Sequence, residues 1–104
     1  MQVIYLKSVD KFTRTLDVKD KILVRRVVDV LKLKGNRIEM PISKSLGDGL
    51  FELRSPKSQV RIFYCFYNNS VYLLHAITKK SNRIPLQDIQ YARGLKELLH
   101  QDNI

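Results

Sequence analysis

Near residue 45 the hydrophobic positions of this chain switch from a spacing of three and four to a spacing of two. Before that point the first segment, Gln2 to Lys7, alternates Val3 and Tyr5 against Ile4 and Leu6, the pattern of a short strand. Ser8 is placed to cap a short helix in which Val9, Phe12 and Leu16 share one face. Asp17 is the next cap, with Asp20 three residues on, near the positive end of the helix dipole. The helix it opens runs from about Val18 to Lys34. Leu23, Val24, Val27, Val28, Leu31 and the flanking Val30 form an apolar stripe, and Arg25, Arg26, Asp29 and Lys32 fall outside it. Gly35-Asn36 ends it, since both residues tolerate the left-handed conformation of a helix C-cap.

A polar connection through Pro41 and Lys44 leads into the period-two region. Strands are predicted near Leu50 to Ser55, Val60 to Tyr67 and Val71 to Thr78, with turns at Ser55-Pro56-Lys57-Ser58 and at Asn68-Asn69, the latter short enough for a tight antiparallel hairpin. Pro85 suits the first turn of a final helix whose inward face is Leu86, Ile89, Ala92, Leu95 and Leu99; Gly94 inside it costs about 1 kcal/mol relative to alanine. The order β-α-α-β-β-β-α predicts an α+β fold, an antiparallel core sheet with an N-terminal helix pair packed on one face and a C-terminal helix. At 104 residues with no linker-like stretch, the whole chain, 1–104, is expected to be a single domain.

Charge sharpens this picture. The net charge is +9, and between Phe51 and Arg83 stand Arg54, Lys57, Arg61, Lys79, Lys80 and Arg83 against one acid, Glu52. Cations on a half-buried sheet suit a phosphate-bearing partner, because each contact releases condensed counterions. The bland alternative is a solvated basic surface. No run approaches the roughly 18 apolar residues of a membrane span, and no secretory apolar run follows Met1. A cytoplasmic protein with no membrane partner is expected. The lone Cys65 stands in a strand pattern and reads as a small buried hydrophobe.

The common catalytic motifs are missing. The four glycines are too scattered for a phosphate loop, and His75 and His100 lie far apart with no partner cysteine, so neither a metal nor a cofactor is expected. What remains is the cluster Arg54, Arg61, Lys79 and Lys80 near the ends of strands that should be neighbours. Metal-free RNA cleavage needs the ribose 2′-hydroxyl to attack its own phosphate in line, with charge building on the equatorial and leaving oxygens. Arginine binds two such oxygens at once with its planar fork, and lysine can stabilise charge or move a proton. Passive RNA binding would use the same residues. Lys57, Tyr64, Arg83, Arg25 and Arg26 are the candidate RNA contacts around the cluster. Each has a plainer reading: Arg61 in a cross-strand ion pair with Glu52, Arg54 at a solvated strand end, Tyr64 in the core, the helix arginines in solvent. Lys79 and Lys80 face opposite ways if the strand continues, so that one of them, Lys79 by preference, reaches the site. His75, between Leu73 and Ile77 on one strand face, reads as a packed, hydrogen-bonded histidine.

Gly49-Leu50-Phe51-Glu52-Leu53-Arg54, then Val60-Arg61-Ile62-Phe63-Tyr64, then Leu74-His75-Ala76-Ile77-Thr78-Lys79-Lys80 resembles the HigB-type, phage-derived branch of the RelE/ParE toxin superfamily, and the likeness extends over roughly residues 10 to 98. The resemblance implies a RelE-like fold and the toxin of a type II toxin–antitoxin pair, an endoribonuclease that cuts mRNA on the ribosome without a metal. It further implies a HigA-like helix-turn-helix antitoxin as partner. Carried across, Arg54 and Arg61 would bind the scissile phosphate, while Lys79 and Lys80 would supply charge and proton transfer. The chain end, His100-Gln101-Asp102-Asn103-Ile104, does not match the acid–base ends of other branches, which leaves the general base unassigned. One related branch poisons gyrase, so a module acting only by binding, to gyrase or to RNA, is the alternative.

Overall fold

Most elements form where a local signal and a packing partner agree; the strand Ser43–Gly47 forms through its pairing alone. In the computed structural model, which describes residues 1–101, strand β1 (Gln2–Tyr5) leads into helices α1 (Lys7–Arg14) and α2 (Val18–Lys34). Strands β2 (Ser43–Gly47), β3 (Leu50–Arg54), β4 (Val60–Tyr67) and β5 (Ser70–Thr78) follow, and helix α3 (Leu86–Gln101) closes the order. The Asp17 side chain caps α2 by accepting from the Asp20 amide at 2.8 Å, and Gly35 ends it at φ 57°. Ser8 does not cap α1. The helix begins earlier because the Leu6 amide bonds the Leu73 carbonyl, and the Leu6 carbonyl accepts from Val9 and Asp10.

The sheet order is β1-β5-β4-β3-β2. The four strands β2 to β5 are antiparallel, and β1 adds to β5 as a parallel edge. The sequence pattern does not include β2; Ser43-Lys44-Ser45-Leu46-Gly47 is a strand because it pairs with β3, Lys44 opposite Glu52, through a tight turn at Asp48-Gly49. Both turn residues have positive φ, as a two-residue hairpin requires. Asn68-Asn69 is the second such hairpin, with φ of 50° and 59°.

Helices cover both faces. On one, Val24, Val27, Val28 and Leu31 of α2 and Val9 of α1 pack on Leu53, Ile62, Tyr64, Val71 and Leu73. On the other, Ala92 of α3 meets Leu50, Phe63, Cys65 and Leu74, with Ile89, Leu95 and Leu99 packed around them. Leu86 is 66 % exposed, so the inward face of α3 starts at Ile89. Cys65 is fully buried, and burial pushes its thiol up to about 11. A Cβ at Gly94 would meet nothing within 4 Å and the residue is exposed in mid-helix. Gly94→Ala should therefore raise stability by about 0.5–1 kcal/mol, a rise in melting temperature of roughly 3–6 °C in a thermal scan.

A register shift between Phe63 and Tyr64 decides which side chains meet α3. Tyr64 pairs with Leu73 and Phe63 with His75, so Leu74 is an extra residue on β5. Leu73 consequently faces α2, whereas His75 and Ile77 face α3. This corrects the expectation that Leu73, His75 and Ile77 share a face: the bulge breaks the alternation between the first and the second.

Candidate nucleic-acid interface

The residues that collect on the α3 face at the open end of the sheet are Glu52 and Arg54 of β3 and Arg61 of β4. Alternation puts Leu53 into the α2 side of the core and leaves Glu52 and Arg54 on the other side, and pairing sets Arg54 directly opposite Arg61. Glu52 and Arg54 border a cleft of about 350 Å³. Lys44 from β2, Glu52 and Arg54 from β3 and Lys79 just beyond β5 line one part of it. Asn82, Arg83, Ile84 and Ile89, from the segment leading into α3 and its first turn, line the rest with Leu46. Four cations thus surround one carboxylate.

Several backbone anchors fix this geometry. The Arg54 Nε donates to the Pro41 carbonyl at 2.9 Å, and its amide donates to the Ile42 carbonyl at 2.8 Å. The Lys79 amide donates to the Gln59 carbonyl at 2.7 Å, which carries the chain one residue past the end of β5 in a defined direction. Lys79 is half-buried there, while Lys80 is exposed and is not among the cleft's lining residues. Arg93 of α3 donates to the carbonyls of Leu46 and Gly47 at 3.0 and 3.1 Å, tying the helix to the β2–β3 hairpin across the cleft.

Arg61 is the buried member of the group, 8 % exposed. Its Nη1 donates to the Ser58 and Val60 carbonyls at 2.8 and 3.0 Å. Its Nε lies 3.1 Å from a Glu52 carboxylate oxygen, close enough for charge pairing, although the N–H does not point in line for a hydrogen bond. Burial lowers the pKa of this guanidinium, Glu52 raises it, and the neighbouring Arg54 lowers it further. Glu52, 3 % exposed, is the counter-charge that keeps the site's floor from being purely cationic.

The structure does not gather the remaining expected contacts here. Tyr64 is fully buried on the opposite face, its hydroxyl 2.6 Å from Ser43 Oγ and its ring stacked on Phe51 at 5.4 Å. A ring so enclosed offers no face to a base, and Tyr64 belongs to the core. Lys57 and Arg26 line a different hollow, between α2 and the Ser55–Ser58 turn, and Arg25 lines a third with Tyr5, Arg14 and Lys21. Both lie on the α2 side, because charge along a sequence does not report the sheet face from which it projects. Lys44 lies on β2, which has no hydrophobic pattern of its own; the Asp48-Gly49 dipeptide before the Leu50 strand is the one hairpin signal that points to it. His75 is hydrogen-bonded, Nε2 to Asp88 Oδ1 at 2.8 Å. Of the chain end, Asp102, Asn103 and Ile104 lie outside the described residues. Among the described residues no group of three or more His, Cys, Asp or Glu is placed to hold a metal ion, and no helix is long and apolar enough to cross a membrane.

A search among curated proteins finds no match. Among solved structures, the crystal structure of the isolated E. coli RelE toxin is similar with a TM-score of 0.61 and 18 % identity, over 93 % of this chain and 97 % of that one. The model of the Gp49-like family of phage-derived proteins matches residues 11–97, which takes in both helical layers, the four antiparallel strands and every residue of the cleft. The chain belongs to the Gp49-like family of phage-derived proteins.

Proposed function

We propose that this protein is the toxin of a toxin–antitoxin pair and acts as a ribosome-dependent, metal-free mRNA endoribonuclease whose active cleft is formed by Arg54, Lys79, Lys44 and Arg83 over the Glu52–Arg61 pair. The observation that carries the reading is the placement of Arg54 directly opposite Arg61 in the β3–β4 register, with Lys79 beside them. Like charges facing each other across a sheet destabilise it. A fold that keeps such a pair beside three further cations, with a single carboxylate among them, breaks a local rule at the point where a phosphate would relieve it.

The chemistry follows from that arrangement. A scissile phosphate in the cleft takes its equatorial oxygens to the Arg54 guanidinium, whose Nε bond to Pro41 leaves its terminal nitrogens for the substrate. Charge that grows on these oxygens as the 2′-oxygen, its proton passing to solvent water, attacks phosphorus and the P–O5′ bond breaks is met by donors already in place, the arrangement that lowers a barrier most. Lys79 adds positive charge and a proton for the leaving 5′-oxygen. Glu52 and Arg61 form the floor: Glu52 offsets the mutual repulsion of the cations, and Arg61 holds Glu52 in place. The antitoxin implied by such a toxin is a HigA-like helix-turn-helix protein, and the natural substrate is mRNA engaged on a ribosome.

The two adjacent lysines test the cleft against its surroundings. Lys79→Ala should lower the rate of RNA cleavage in a translating extract by about 10- to 100-fold, the scale of a lost acid or charge donor. Lys80→Ala, which removes the same charge from a residue outside the cleft, should change it by less than about threefold, in line with a screened surface charge. Equal losses in the two variants would mean that net charge, and not this cleft, governs the activity.

A further inference from the structure

The first turn of α3 is held by a second set of residues, on the side of the helix away from the cationic cleft. His75 Nε2 lies 2.8 Å from Asp88 Oδ1. The imidazole is stacked on the buried Phe63 ring, centroids 5.7 Å apart and planes 15° apart, and is covered edge-on by Tyr91 at 4.8 Å. The bulge at Leu74 is what brings His75 to this face, because an unbroken alternation from Leu73 would turn it toward α2. Backbone, ring stacking and hydrogen bond therefore converge on one side chain, and that side chain grips Asp88. The residue after Asp88 is Ile89, which lines the cationic cleft together with Ile84 and Arg83. Further along, α3 is secured independently by Ala92, Leu95 and Leu99 and by the Arg93 bonds to Leu46 and Gly47.

We infer that His75 and Asp88 are positioning residues for the cleft: their bond fixes the first turn of α3 so that Ile89, Ile84 and Arg83 stand as the wall against which bound RNA is held. This rests on the RNA reading of the cleft. It makes Asp88 favourable to RNA binding even though an acid near a cationic site would, by charge alone, oppose it.

That opposition of signs gives the test. Affinity for a short 2′-O-methyl RNA, which cannot be cut, is measured for wild type, Asp88→Ala and Asp88→Asn, alongside amide hydrogen exchange at Ile89. Asn removes the charge but keeps a partner for the ring nitrogen. Positioning predicts that Asp88→Ala weakens binding by about tenfold and speeds exchange at Ile89 by a similar factor, while Asp88→Asn binds as well as wild type or better. Tighter or unchanged binding in Asp88→Ala, with the wild type binding normally, overturns the inference. A wild type that binds no RNA defeats the reading of the cleft instead; unchanged Ile89 exchange in Asp88→Ala would then overturn the latch as well, and faster exchange would uphold it as a feature of the fold.

Discussion

Replacing Arg54 by alanine is expected to lower RNA cleavage by two to three orders of magnitude while leaving the melting temperature unchanged or slightly higher. The first half follows from the role of a fixed donor at the developing charge, whose removal typically costs about 10²- to 10³-fold. The second follows from its surroundings. Arg54 is half-exposed, its one side-chain bond goes to the Pro41 carbonyl at the surface, and it stands opposite another arginine whose charged form it disfavours. Removing it relieves repulsion and opens no cavity in the apolar core. Cleavage assays and thermal melts on one preparation would check both halves, and a stability loss large enough to explain the activity loss would refute the assignment.

Arg61→Ala should do the opposite, destabilising the protein by about 3 kcal/mol or more. The Arg61 and Glu52 side chains are 10 % and 3 % exposed, and taking away one partner leaves a buried carboxylate without its counter-charge. Two carbonyls, those of Ser58 and Val60, lose their donor in the same step. In a protein of this size, whose whole stability is about 5–15 kcal/mol, such a loss reduces the folded population at working temperature. Activity lost in Arg61→Ala would thus report on folding as much as on catalysis. The double variant Glu52→Gln with Arg61→Gln should recover much of the stability, because the unpaired charge is gone, and its activity would then isolate what the pair contributes to the reaction. Chemical denaturation of the single and double variants measures this coupling, and additive losses would argue against a paired role.

What the sequence discloses and what it hides divide along physical lines. α2 is legible because its cap, its apolar stripe and its terminal glycine are all local and agree. The strands β4 and β5 are legible because both are rich in β-branched and aromatic residues, and β3 because it alternates up to the Ser55-Pro56-Lys57-Ser58 turn. β2 is not, since a polar edge strand has almost no pattern of its own and exists through the hydrogen bonds β3 offers it. With β2 unassigned, Lys44 is left without a place in the site. The site itself is readable as far as alternation holds: Glu52 and Arg54 fall on one face, and Lys79, not Lys80, reaches the cleft. It is unreadable where the period slips. Leu73-Leu74-His75 gives no sign of a bulge, because both leucines are buried whichever way the strand turns, yet that slip sends His75 to Asp88. Arg25, Arg26 and Lys57 join the expected RNA contacts on charge alone, and the fold places them beyond the sheet.

The two arginines therefore separate by environment. Arg54 is accessible, repelled by its neighbour and free to meet a phosphate; Arg61 is enclosed, paired and structural in its contacts. In the proposed reaction the first meets the phosphate and the second holds the framework of the site. Such a division accounts for how a small sheet keeps several cations together without unfolding.

The most direct measurement is primer-extension mapping of a defined mRNA in a purified translation system, with and without ribosomes, comparing wild type with the well-folded Arg54→Ala variant. The account predicts discrete cuts that require ribosomes and vanish in Arg54→Ala. Cuts that persist at the wild-type rate in Arg54→Ala, or a folded wild type that leaves the mRNA intact in the presence of ribosomes, would contradict it.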